Sequence, residues 1–325
     1  MRLPWAPLWA CVLAAAASPA AARDPLLGLP IDCSLGEDCF IQNYVDADGG
    51  PGAADFTCGG LSYDGHKGTD FAVRSHAVAQ AGVNIQAAAP GVVRAVRDGV
   101  ADHWRDTPMT FPDGQDCGNG LVIDHGGGWE TQYCHLREGS LRVQKGQRVA
   151  MGAVLGQVGM SGRTEFPHLH LSIRKDGSVV DPFNTDGIIS CGETGNDQLW
   201  QVPIDYEPGG LLQAGFAPGL PEFGPIKWGE AHAQTLPAQA PALVLWTHVF
   251  GARADDHIRL LIEGPGGVFS DKTVEIDAAK AQLFRASGRK LHADNHSPGL
   301  YTGTVILLRD GVEIDRMKTS TTLGN

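Results

Sequence analysis

The stretch Pro167-His168-Leu169-His170-Leu171 decides how the first half of the chain is read. In a strand, side chains at i and i+2 point to the same face. A strand here sends His168 and His170 out together and turns Leu169 and Leu171 toward a core. Two imidazoles on one face make either a polar surface or part of a metal site. The neighbouring runs have the same short, apolar character. Gly91-Val92-Val93-Arg94-Ala95-Val96, Leu121-Val122-Ile123 and Val149 to Leu155 all sit between glycines. Strands of four to six residues between Gly turns predict an antiparallel all-β domain. No window over 61–185 offers a long amphipathic helix.

Composition supports this reading. Gly supplies 43 of 325 residues, about twice the usual ~7% share, which favours many turns and short strands. The length suits two domains. The net charge is −12 and no basic tract is present, which excludes nucleic acid and anionic membrane surfaces as expected partners.

The N-terminus reads as an address. Arg2, an apolar stretch from Trp5 to Ala17 and the small residues Ala20-Ala21-Ala22 form a secretory signal peptide over 1–22. The stretch is shorter than the ~20 residues a bilayer span needs. No other apolar run of membrane length follows. The mature protein is therefore expected to be exported, periplasmic or secreted, without a membrane span. Setting Cys11 aside leaves Cys33, Cys39, Cys58, Cys117, Cys134 and Cys191 of the seven cysteines. An even number in an exported chain predicts disulfides. Cys33 and Cys39 are near neighbours in sequence. Cys117 and Cys134 lie either side of the His125-Gly126 turn, opposite each other across a hairpin. Cys58 and Cys191 remain to tie the lead-in to the end of the first domain.

Five segments follow from these signals. Residues 1–22 are the signal peptide and 23–60 an irregular, disulfide-bearing lead-in. The first β-domain covers 61–191, with an inserted loop at 101–116. A Gly/Pro-rich connector spans 192–240. Strand signals then resume at Leu243 to Trp246, Ile258 to Ile262, Thr273 to Ile276 and Tyr301 to Leu308, with a hairpin turn at Asp310-Gly311. Residues 241–325 are therefore expected to form a C-terminal Ig-like β-sandwich.

Five residues of the first domain could carry chemistry: His66, Asp70, His135, His168 and His170. A helix would bring His66 and Asp70 together, but Gly65 and Gly68 argue for a turn or strand end. Zinc accepts imidazole nitrogen and carboxylate oxygen. Two histidines and one aspartate make a three-ligand set with a fourth position left for water, the mark of a catalytic rather than a structural zinc.

These elements resemble the lysostaphin/LytM-type zinc endopeptidases. Gly65-His66-Lys67-Gly68-Thr69-Asp70-Phe71 matches their H-x-x-x-D element, Tyr133-Cys134-His135-Leu136 their Y-x-H-L element and Pro167 to Leu171 their H-x-H strand. The resemblance covers about 60–183. It implies an antiparallel β-sheet metallopeptidase domain with His66, Asp70 and His170 as zinc ligands and His135 and His168 as non-ligand catalytic histidines. It also implies hydrolysis of peptide bonds in bacterial peptidoglycan stems or cross-links. The alternative is a non-catalytic peptidoglycan-binding or hydrolase-activating module, which would predict damaged ligands. The C-terminal domain is expected to serve placement, substrate recognition or contact with a protein partner.

Other residues are set aside. His125 reads as a structural turn residue. His76, His103, His232, His248, His257, His292 and His296 are scattered and read as solvated. Ser161-Gly162 lacks a nucleophile elbow and reads as a turn beside the groove. Trp104 and Phe111 either line a cleft or pack a loop. Tyr133 shares a strand with His135 and, pointing the same way, either touches substrate or packs.

Overall fold

The computed structural model describes residues 24–104, 113–189, 191–192, 197–292 and 296–324. The expected signal peptide, with Cys11, lies outside the described residues, as does half of the expected inserted loop, Phe111 included.

The first half contains β1 (Cys39–Asn43), β2 (Thr69–Val73), α1 (His76–Ala81), β3 (Asn84–Gln86), β4 (Gly91–Arg97), β5 (Asn119–Gly126), β6 (Trp129–Leu136), β7 (Arg148–Val149), β8 (Val154–Gln157), β9 (His168–Lys175) and β10 (Ser178–Val179). The main sheet runs β1-β2-β9-β6-β5-β4-β7, with β10 paired to β9, and β3 pairs with β8 apart from it. The expected alternation on β9 is realised. Leu169, Leu171 and Ile173 are buried together with Phe71, Leu121, Ile123 and Tyr133. Each such side chain contributes about 1.5–3 kcal/mol on burial, so the core holds β9 in register and leaves its opposite face to the histidines.

The second half contains β11 (Gly210–Ala217), α2 (Phe223–Trp228), β12 (Thr235–Leu236), β13 (Ala242–Ala252), β14 (His257–Gly264), β15 (Gly267–Glu275), β16 (Lys280–Lys290), β17 (Gly299–Arg309) and β18 (Val312–Leu323). Two sheets form, β11-β13-β16 and β12-β18-β17-β14-β15. They share one core that includes Leu211, Phe216, Leu245, Leu260 and Val305. The C-terminal β-domain is thus a two-sheet arrangement. Arg309 at its base pairs with the buried Asp256 at 2.7 Å.

Two expectations about the segments fail. The lead-in is not wholly irregular: β1 pairs with β2 as an edge strand of the main sheet, Cys39 opposite Val73. Nor is 192–240 a plain connector. β11 pairs with β13 from Gly210 to Ala217, and β12 runs parallel to the end of β18. Glycine in β11 serves close packing rather than flexibility. A Cβ on Gly215 would lie 2.5 Å from the Trp246 ring.

The two halves meet through side chains. Phe40, Ala72, Leu212 and Phe250 form a buried cluster of their own, with the Phe40 and Phe250 ring centroids 4.5 Å apart. The Arg74 guanidinium donates to the carbonyls of Leu211 and Leu212 at 2.8 and 3.0 Å.

All three expected disulfides are present: Cys33–Cys39, Cys58–Cys191 and Cys117–Cys134.

Candidate active site

Strand register assembles the centre. Antiparallel pairing of β2 with β9 puts Asp70 opposite His170 and Ala72 opposite His168. Directly paired residues share a face, so Asp70 and His170 meet without a loop between them. His66 arrives from the turn before β2. Its backbone N–H donates to Tyr63 O at 3.0 Å, and Gly65 takes φ +73°, as the turn reading requires. Gly68 lies against His170. A Cβ there would stand 2.6 Å from the His170 ring.

Three donor atoms converge. His66 Nε2 is 3.2 Å from Asp70 Oδ1 and 3.2 Å from His170 Nδ1. His170 Nδ1 is 2.8 Å from Asp70 Oδ1. Each residue's other polar atom is engaged elsewhere. His66 Nδ1–H donates to Tyr44 O at 2.6 Å. Asp70 Oδ2 accepts from Asn43 Nδ2 at 2.9 Å. His170 Nε2 lies 3.0 Å from Ser172 Oγ. A carbonyl only accepts, so His66 must carry its proton on Nδ1, and its Nε2 lone pair faces the centre. Outer hydrogen bonds of this kind fix the tautomer and aim of metal ligands. The residues fit a metal: two nitrogens and one carboxylate oxygen, close together and buried, suit zinc.

Electrostatics follow from this crowding. Burial alone would raise the Asp70 carboxyl. The imidazoles of His168 and His66 outweigh it and hold Asp70 well below the usual carboxylate range. Burial lowers His66, but Asp70, the Tyr44 carbonyl and Asp46 together raise it above the ordinary histidine value. His170 is lowered, chiefly by burial.

His135 and His168 complete the set without joining the triad of donors. The His135 and His168 ring centroids are 4.7 Å apart. His168 Nδ1 donates to Phe166 O at 2.9 Å, and its Nε2 lies 3.4 Å from Asp70 Oδ1. His135 Nδ1 donates to Ser161 O at 2.9 Å. Burial and the neighbouring His168 and His170 push His135 well below the ordinary histidine range, so it is neutral.

The expected shared face of Tyr133 and His135 is wrong. Tyr133 is fully buried in the core, and its hydroxyl accepts from the Ala88 N–H at 2.8 Å. His135 lines the cleft. The cause is a bulge. Pairing of β5 with β6 jumps from Leu121–Tyr133 to Asn119–Leu136, and His135 adopts φ +65°. A bulge re-aims a side chain that regular alternation would place on the other face. Tyr133 therefore packs and has no access to substrate.

His125, Ser161 and Trp104 have structural surroundings. His125 bridges Pro90 O and Thr131 Oγ1, both at 2.8 Å. Ser161 is buried and accepts from Asn119 N–H at 2.9 Å while donating to Leu136 O at 2.6 Å. Trp104 packs against the core. Two histidines are not solvated as expected. His76 is buried against Trp228, ring centroids 4.8 Å apart. His248 is buried at 3.1 Å from Gln282, and that burial lowers it to about 4.

Nothing in the sequence marked Asn43, Tyr63 or Thr164, whose Oγ1 lies 3.1 Å from His168 Nδ1. Asn43 lies in the lead-in, where nothing marked a strand. The Tyr63 ring stacks 4.4 Å from His66, and burial with Asp70 nearby pushes its phenol up to about 12, so it stays a neutral donor. Ser172 was findable: it follows His170 by two residues and shares its face.

Two histidines and one aspartate with converging donor atoms, beside two further histidines that line a cleft, form a group that could hold a metal ion. Residues 64–182 match the model of peptidase family M23, so the chain carries an M23 peptidase domain. Among characterised relatives it is similar to peptidoglycan DD-endopeptidase ShyA of Vibrio cholerae, 37% identical over 84 residues, 26% of this chain and 17% of that one. Cell division protein DipM of Caulobacter vibrioides is 32% identical over 113 residues, 35% and 17% of the two chains. DD-carboxypeptidase/endopeptidase Mpg of Neisseria meningitidis is 43% identical over 65 residues, 20% and 14%. The matches span no more than about a sixth of the length of these three relatives.

Proposed function

We propose that this chain is an exported zinc-dependent endopeptidase that hydrolyses peptide bonds in peptidoglycan stems or cross-links. The observation that carries the reading is the convergence of His66 Nε2, Asp70 Oδ1 and His170 Nδ1 within 3.2 Å of one another. His66, Asp70 and His170 are the metal ligands, and His135 and His168 act on the substrate beside them. Zinc held by those ligands would supply a Lewis acid for the peptide carbonyl and make water a nucleophile near neutral pH.

The protein's own groups do the rest. His135 is neutral with its proton on Nδ1, held by Ser161 O. Its Nε2 lone pair accepts the proton of the attacking water and returns it to the leaving amine. His168 carries a proton on Nδ1, which donates to Phe166 O, so it serves as donor to the tetrahedral oxyanion only as the imidazolium, with Nε2–H beside Asp70 Oδ1 at 3.4 Å. Asn43 and Tyr44 keep Asp70 and His66 aimed at the centre.

The three disulfides support an oxidising compartment, consistent with export. Among the described residues no helix is long and apolar enough to cross a membrane. The catalytic unit on this reading includes β1 with 61–191, and the accessory unit begins at β11 rather than at residue 241.

The test is digestion of purified peptidoglycan with mass spectrometry of the fragments. New amino and carboxyl termini at a peptide bond, abolished by chelation and restored by zinc, are expected. A zinc-loaded protein that releases no fragment would support the non-catalytic module instead.

A further inference from the structure

A cleft of about 610 Å³ opens over the centre, and its two walls come from different halves of the chain. Asn43, Asp70, His135 and His168 form one side. Gly251 to Arg253 and Ala279 to Ala281, at the end of β13 and the start of β16, form the other. The far wall is fixed to the near one. Gln42 Nε2 donates to Ala281 O at 3.2 Å, and Gln282 Nε2 donates to Gln42 Oε1 at 2.8 Å. Gly251, at φ +61°, comes so close to the near wall that a Cβ would lie 2.9 Å from Leu61 Cδ2.

That wall carries two cations without an ion pair among the described residues. Arg253 and Lys280 are both exposed. Neither side chain has an ion pair among the described residues, whereas Arg259, Arg309 and Arg316 of the same domain are each paired with a carboxylate. The whole chain has 25 Lys and Arg against 37 Asp and Glu, so two unpaired cations at the mouth of one cleft run against the general charge. The cleft's own carboxylates are Asp70 and Glu165, and Asp70 belongs to the metal-ligand set.

We propose that the C-terminal β-domain builds part of the substrate site, and that Arg253 and Lys280 bind a free carboxylate of the peptide whose bond lies over the metal centre. The inference rests on the endopeptidase reading for the bond that is cut, but not for the binding itself. A carboxylate held by a guanidinium and an ammonium gains charge-assisted hydrogen bonds, stronger than neutral ones. Fixing that group on the far wall orients the chain across the cleft toward His135 and His168. The second domain then sets which peptides are accepted.

The probe is a cross-linked muropeptide released from sacculi, used with its carboxylates free and with them converted to methylamides. Binding to the zinc-loaded full chain is measured by calorimetry, alongside hydrolysis. The wild type is expected to bind the free form about tenfold more tightly than the amidated form. In Arg253→Gln/Lys280→Gln that ratio falls to near one while zinc content stays the same, and KM for the free form rises in step. A double variant that keeps the wild-type ratio overturns the proposal, as does a wild type that binds both forms equally. If the wild type discriminates between them yet cuts neither, the carboxylate site stands and the endopeptidase reading falls.

Discussion

His135 Nδ1 donates to the backbone carbonyl of Ser161 at 2.9 Å. This one bond assigns the tautomer, because a carbonyl can only accept. It leaves Nε2 as the basic atom, in a residue whose left-handed backbone has already turned it out of the core and into the cleft.

The first prediction follows from that geometry. His135→Ala and His168→Ala should retain zinc and lose at least ~100-fold in kcat, since general-base and oxyanion roles are each worth that much. His135→Asn separates chemistry from backbone strain, because Asn tolerates positive φ better than most residues. It should keep the thermal stability and still be inactive. Parental turnover in His135→Asn would remove His135 from the mechanism.

Metal affinity should depend on Asn43 as well as on the ligands. Asn43→Ala frees Asp70 Oδ2 and is expected to weaken zinc binding roughly 10–100-fold, the usual cost of losing an outer hydrogen bond. Asp70→Ala should abolish it. Competition with a chromophoric chelator measures both, and equal affinity of Asn43→Ala and wild type would refute the orienting role.

The Cys117–Cys134 bond closes a loop of sequence separation 17 immediately before His135. His135 N–H also donates to Cys117 O at 2.8 Å. Cys117→Ser/Cys134→Ser should cost about 3 kcal/mol in chemical denaturation. It should also depress kcat more than zinc occupancy. An unchanged kcat would show that the bulge holds itself.

Stability should fall with rising pH through Asp181. Burial raises its carboxyl to about 7, above the unfolded value of about 3.9. A raised folded value means that the favourable contribution of the neutral acid is complete below about pH 4 and lost as pH climbs toward 7. The slope cannot exceed about 1.4 kcal/mol per pH unit for one proton. Asp181→Asn keeps a polar group there and should flatten the profile between pH 4 and 7. Identical profiles for variant and wild type would show that Asp181 ionises normally.

Much of the site was legible because it follows strand periodicity. Period two alone puts His168 and His170 on one face and Leu169 and Leu171 in the core. The order of the three motif elements added His66, Asp70 and His135. The flanking segments were harder to read. Lead-in residues next to Gly and Pro clusters resemble loops, yet Cys39–Asn43 finds an edge to pair with. Gly215 resembles a linker glycine, yet it is there to let Trp246 approach.

By itself the sequence determined the chemistry: which side chains could ligate a metal, which strand presents two of them together, and which cysteines could pair. These depend on residue type and local spacing. Only the tertiary structure decided the register that sets Asp70 opposite His170, the bulge that separates His135 from Tyr133, and the second wall carrying Arg253 and Lys280. Those depend on hydrogen bonding and packing between segments far apart in the chain, and no local pattern encodes a contact whose partner lies up to 240 residues away.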